Sequence, residues 1–192
     1  DTVLSAMRFF PRVVGVDVAK VNMLTFFRAL QLLGKWRAMF QDYVDHWEKR
    51  HEPGVLLLFF SDLKTDLQGS VRRLAKHLRV EPELADSTVA RIAAQSSKDV
   101  MSSPKMETRF NDFPKQFKKW IEETITGSEP RIELVRKDGG KVGEGQEVLP
   151  EKVRELIASY WDMYVLARTN CTSVEDMRIR YRAELVARGI DP

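Results

Sequence analysis

One hexapeptide constrains the fold of this chain more than any other stretch. Val55-Leu56-Leu57-Leu58-Phe59-Phe60 is an unbroken apolar run between the Pro53-Gly54 dipeptide and Asp62. Pro-Gly is a turn signal, and a short apolar run bounded in this way suits a strand buried on both faces, as in a parallel sheet. The segment Gln68 to Leu78 then reads as a helix, with Val71, Leu74, Ala75 and Leu78 apolar and Arg72, Arg73 and Lys76 solvated. A strand followed by a helix points to an α/β arrangement.

The rest of the chain reads mainly as helix. Val3, Met7 and Phe10 share one face of a short helix that Pro11 ends. Met23, Phe26, Phe27, Leu30 and Leu33 recur at helical spacing from Ala19 to Leu33, and Gly34 stops that run. Lys35 to Arg50 carries Trp36, Phe40, Tyr43 and Trp47 on one aromatic face, whose plain reading is packing against a sheet. Asp86 to Gln95, Pro150 to Ala167 and the charged tail from Ser173 to Arg188 are further helices.

Composition narrows the function classes. The 192 residues are 43% hydrophobic and 31% charged, which fits one soluble domain with a core. A net charge of +3 is too mild to imply nucleic acid, yet it favours anionic ligands. Cys171 is the single cysteine, which excludes a disulfide framework and suits a reducing compartment. One cysteine and three histidines (His46, His51, His77) make a poor metal set. No apolar stretch is long enough to span a membrane.

Four segments could carry chemistry. Arg136 and Lys137 supply fixed positive charge beside Gly139, Gly140 and Gly143, where the backbone can approach an anion closely. The bland alternative is a solvated turn. Phe60 stands at the carboxyl end of the expected strand, where ligands bind in parallel sheets and where a ring can meet a purine. Asp62 reads first as a cap of the following turn. Ser96 and Ser97 can bind adenine nitrogens or cap the next turn, and capping is the default. Ser5 on the first helix can reach a phosphate.

In this order the segments resemble the sulfotransferase family. Asp1 to Phe10 is similar to the stretch that follows the arginine of R-x-P-x-D-x-x-x-S. Gly34-Lys35-Trp36 through His46-Trp47 resembles G-x-W…H-x-x-x-W-W, and Phe60-Ser61-Asp62-Leu63 stands where the family has Y-E-D-L. Ser96 to Met101 resembles T-S-F-x-x-M, and Arg136-Lys137 with Gly140 to Glu144 resembles R-K-G-x-x-G-D. The resemblance covers about residues 1 to 161. There are departures: Phe60 lacks the tyrosine hydroxyl, Lys98 replaces a phenylalanine, Asp138-Gly139 reads as an insertion, and Gly145 replaces a tryptophan.

The resemblance implies an α/β, P-loop-NTPase-like sulfotransferase fold, of which this portion is mostly helical with one or two strands of a parallel sheet. It implies residues 1–168 as the carboxyl-terminal part of the domain and 169–192 as a helical tail. The activity implied is transfer of a sulfonate group from 3′-phosphoadenosine 5′-phosphosulfate (PAPS) to a hydroxyl or amine of a small acceptor, leaving adenosine 3′,5′-bisphosphate. Carried over by position, Ser5, Arg136, Lys137, Gly139 and Gly140 bind the 3′-phosphate, and Phe60, Ser96, Ser97 and Met101 frame the adenine, with Leu134 and Val135 alongside. Phe9 and Trp36 face the acceptor. The family's phosphate loop, catalytic Lys and catalytic His belong upstream of Asp1, so no catalytic residue is assigned here and the chain by itself is expected to be inactive. Further expectations are a cytoplasmic location, no metal, no nucleic-acid partner, no membrane span, and a homodimer as a possible assembly. Two rivals stand beside this reading: a non-catalytic helical interaction module using the face Trp36/Phe40/Tyr43/Trp47, and a P-loop kinase relative.

Overall fold

The computed structural model describes residues 2–13, 18–101, 103, 119–120, 122–126 and 143–190. Its helices are α1 Thr2–Val13, α2 Met23–Leu32, α3 Lys35–Glu48, α4 Phe60–Thr65, α5 Leu67–His77, α6 Asp86–Gln95, α7 Lys98–Met101, α8 Glu144–Val148, α9 Glu151–Tyr160 and α10 Val174–Ala187. A short 3₁₀ turn covers Val18–Lys20, and π-helical segments cover Glu122–Thr126 and Trp161–Leu166.

Among the described residues there is no β-strand. This corrects the expected α/β fold with one or two strands of a parallel sheet. The run Val55 to Phe59 is neither strand nor helix, and Phe60 opens α4 instead of closing a strand. Local preference is still visible: Phe59 is extended, at φ −91° and ψ 138°. A strand, however, is made by hydrogen bonds to a neighbour. No second described segment supplies a ladder, because the other apolar patterns have helical period. The Phe59 carbonyl instead accepts the N–H groups of Asp62 and Leu63, the first bonds of α4.

The chain divides into two units. The first comprises Asp1–Leu30 and Ala94–Arg154. Its buried residues include Val3, Leu4 and Met7 of α1, Phe27 of α2, Leu149, and Val153 of α9. At about 100° per residue, Val3, Met7, Pro11 and Leu4 fall in one arc, and all four are buried. Phe10 lies at the edge of that arc and is 48% exposed, which corrects the expected apolar face. Pro11 does not end α1 either. It occupies the last turn, where a missing N–H costs a single bond, and the helix runs on to Val13.

The second unit comprises Gln31–Ala93 and Glu155–Pro192. Here Trp36, Phe40, Val44 and Trp47 turn inward from α3, which packs against the π-helical segment and the turn Ala167–Thr169. Phe40 stacks on Tyr160 at 5.7 Å between centroids and meets Trp161 edge-on at 6.3 Å. The aromatic face is therefore core, packed on helical residues and not on a sheet, and it is not offered to a partner helix. Trp161 closes the next corner by donating its indole N–H to the Cys171 carbonyl at 2.9 Å. Asn170, left-handed at φ 57°, ends the helical run, and Ser173 caps α10 by accepting from the Asp176 N–H at 3.0 Å. The tail expected to be helical from Ser173 to Arg188 is present as Val174–Ala187.

In α5 the expected face is corrected as well. Leu74 and Leu78 are exposed, while Ser70 is buried and Arg73 turns inward. The cap of α5 is Asp66, whose carboxylate accepts from the Gly69 N–H at 2.8 Å.

Gly34 stops α2 as expected, at φ 68°. A Cβ there meets no other atom within 4 Å, so the penalty on substitution is conformational. Gly34→Ala is expected to lower stability by about 1 kcal/mol, and Gly34→Asn by clearly less. Urea unfolding of the two variants checks both values.

Candidate functional site

In the first unit, α1 presents Ser5 and Arg8 on the side away from its buried arc. Ser5 is exposed, and Phe9 is half-buried with its ring edge-on to Phe10 at 5.7 Å. Arg8 donates to the Glu144 carboxylate at 2.6 Å, across 136 positions of sequence. Glu144 opens α8 directly after Gly143, which is left-handed at φ 90°. The ion pair therefore joins the helix of Ser5 and Phe9 to the downstream end of the basic, glycine-rich segment. Both charges are largely withdrawn from water, where a charge-assisted hydrogen bond contributes about 1.5–3 kcal/mol.

The other predicted residues of this unit are Ser96, Ser97 and Met101. Ser96 is exposed at the end of α6. The Ser97 hydroxyl accepts from the Val100 N–H at 3.4 Å, so the default capping role is the one observed. Met101 is the last residue of α7. Arg136, Lys137, Gly139 and Gly140, with Leu134 and Val135, lie outside the described residues.

The second unit holds Trp36 and Phe60. Trp36 is enclosed, 3% exposed, and Phe60 stands out from the start of α4 at 61% exposure. Two residues on, Asp62 is 1% exposed. Its side chain is not a cap, which corrects the first reading of it. One carboxylate oxygen accepts from Arg178 at 3.0 Å and from Arg182 at 2.9 Å. The other has no hydrogen-bond donor and faces Arg73 at 3.6 Å. Arg178 is itself held by a fork from Nε and Nη2 to Glu175. That hydrogen bond, more than the ones to Asp62, raises the Arg178 guanidinium above its ordinary value. The same bond lowers the Glu175 carboxyl. Stripping a buried carboxylate of its partners costs about 3–5 kcal/mol, so Asp62 fixes α4 to α10.

Two of the histidines, His46 and His51, are engaged. The His51 Nδ1 accepts from Arg188 at 2.6 Å, because a guanidinium can only donate. The opposite nitrogen, Nε2, meets the Glu184 carboxylate at 3.0 Å and donates to it. Arg50 grips the same carboxylate through Nε at 2.8 Å and Nη2 at 3.1 Å. His46 donates from Nδ1 to the Asp42 carbonyl. Among the described residues, no group of His, Cys, Asp and Glu is placed to hold a metal, and no helix is long and apolar enough to cross a membrane.

Sequence reading missed the ion pairs Arg8–Glu144, Asp62–Arg178–Arg182 and Arg50–Glu184. One signal was present: Arg178 and Arg182 are four apart on a helix, which places them on one face.

Comparison with known proteins supplies the remaining finding. Residues 1–127 match the family model described as Sulfotransferase domain. No curated protein and no solved structure matches the chain.

The Arg50 hydrogen bond holds the Glu184 carboxyl below its ordinary 4.5. A depressed carboxyl contributes stability that is complete above 4.5 and is lost as the pH falls through the folded value. Acidification below 4.5 is therefore expected to destabilise the protein, and Arg50→Gln is expected to flatten that limb. Urea midpoints measured across this range for both proteins check the prediction.

Proposed function

Because the chain belongs to the sulfotransferase domain family, we propose that it forms the donor-binding part of a PAPS-dependent enzyme acting on a small hydroxylated or amine acceptor in the cytoplasm. When bound, PAPS supplies the sulfonate group that is transferred. Ser5, Arg136, Lys137, Gly139 and Gly140 hold the 3′-phosphate through hydroxyl, cationic and backbone N–H donors. By the family resemblance Phe60 is assigned to the adenine, as are Ser96, Ser97 and Met101. Phe9 faces the acceptor. The proton of the acceptor is taken by a base outside the residues named here.

The observation that carries this reading is the Arg8–Glu144 ion pair. It ties the helix of Ser5 to Glu144, four positions after Gly140, and this supports assigning both stretches to one phosphate. The described residues also suit the ligand in kind. Phe60 offers an exposed aromatic face, Ser5 an exposed hydroxyl, and Gly143 a left-handed turn of the kind glycine adopts without strain. The family match weighs against the kinase reading, and the enclosed aromatic face of α3 weighs against the interaction module.

Binding of adenosine 3′,5′-bisphosphate to the full chain tests the proposal. Arg136→Ala is expected to weaken binding by about 1.5–3 kcal/mol, while the unphosphorylated nucleoside binds equally to both proteins. Arg8→Ala is expected to weaken the bisphosphate by about 1 kcal/mol, since it only loosens the loop. Unchanged affinity in Arg136→Ala removes that residue from the phosphate site.

A further inference from the structure

Phe60 is held on both sides by the same distant helix. On one side, Phe59 packs on Tyr181 of α10, with centroids 6.2 Å apart. On the other, Asp62 receives Arg178 and Arg182 of α10. Tyr181 is buried, and Asp62 is among the most enclosed side chains of the chain. Between these anchors the ring of Phe60 stays in solvent.

The short helix α4 does not stand by itself. It has six residues, and its N-cap, Phe59, makes no side-chain capping bond. An isolated helix of that length is unstable in water, so its hold comes from tertiary contacts. Neighbouring α5 supplies Arg73 at 3.6 Å. The hydrogen bonds to the Asp62 side chain come from α10. Glu175 occupies the other donors of Arg178, which leaves Nη1 aimed at Asp62.

We infer that α10, which lies beyond the residues matched by the family model, is a positioning element of the donor site: through Arg178, Arg182 and Tyr181 it fixes α4 and presents the Phe60 ring. This rests on the reading that Phe60 lies against the adenine. An aromatic ring held in place before binding loses little freedom on binding, so the anchors act on nucleotide affinity. Arg178 and Arg182 touch neither donor nor acceptor. Their effect passes through Asp62.

The test uses the full chain and adenosine 3′,5′-bisphosphate in a double-mutant cycle. Phe60→Ala and Arg182→Gln are each expected to raise the Kd about tenfold. The double variant is expected to be no weaker than Phe60→Ala alone, because α10 acts through that ring. Arg182→Lys is expected to recover most of the affinity. In the active enzyme the donor KM rises with the Kd, while kcat and the acceptor KM stay within about twofold. A merely structural loss gives the opposite pattern, in which the active fraction and kcat fall and the Kd of the remaining protein is unchanged. That result overturns the inference, as does additivity in the cycle. If Phe60→Ala leaves the Kd unchanged, the adenine reading of Phe60 fails first and the inference falls with it. Amide exchange of residues 59–65 is an independent check without nucleotide. It is expected to accelerate in Arg182→Gln and in the milder Asp62→Asn, and unaltered exchange in both overturns the inference.

Discussion

The second unit is organised around a negative charge taken out of water. Asp62 is nearly fully enclosed, and an ionised carboxylate in that position is tolerable only with cations against it. Arg178 and Arg182 meet that requirement from 116 and 120 positions away. Several local features follow from this demand. Helix α10 must run so that two arginines one turn apart face α4. Arg73 must leave solvent although it is flanked by exposed residues of α5. Tyr181, between the two arginines in sequence, is carried into the core beside Phe59.

The other fixed point is polar as well. Arg8 and Glu144 close a loop of 136 positions in the first unit, and Arg50 and Glu184 close one of 134 in the second. Apolar burial makes the units, since it is the larger and less directional contribution. The charged pairs decide which segments of distant sequence become neighbours.

Much of the secondary structure was legible in the sequence, and the reasons are local. Gly34, Pro53-Gly54, the helical spacing of Asp86 to Gln95 and the Ser173 cap act within a few residues of themselves. Val55 to Phe60 was misread because a strand is a property of two segments. Its apolar character and the extended Phe59 were readable, but the missing partner was not. Phe10 and Leu74 failed for a related reason. Periodicity identifies a face, whereas the neighbour decides which arc of it is covered. The candidate site divides in the same way. Phe60 and Ser5 were singled out from short motifs, while the partners of Asp62, Arg8 and Glu184 come from more than a hundred positions away and leave no mark at that range. The basic segment Arg136 to Gly140 lies outside the described residues, so its proposed part in the site rests on the motif.

The π-helical segment Trp161–Leu166 has an effect on how this chain can change. It widens the coil by one residue, and at its start two sequence neighbours, Tyr160 and Trp161, both reach Phe40. Shortening the segment by one position would do more than trim it. Everything downstream, through Thr169 and Cys171 to the tail, would be turned like a gear by about a quarter of a revolution relative to α3. Side chains along this stretch can be exchanged one at a time, but its length is locked, and insertions or deletions in descendants of this sequence should gather elsewhere.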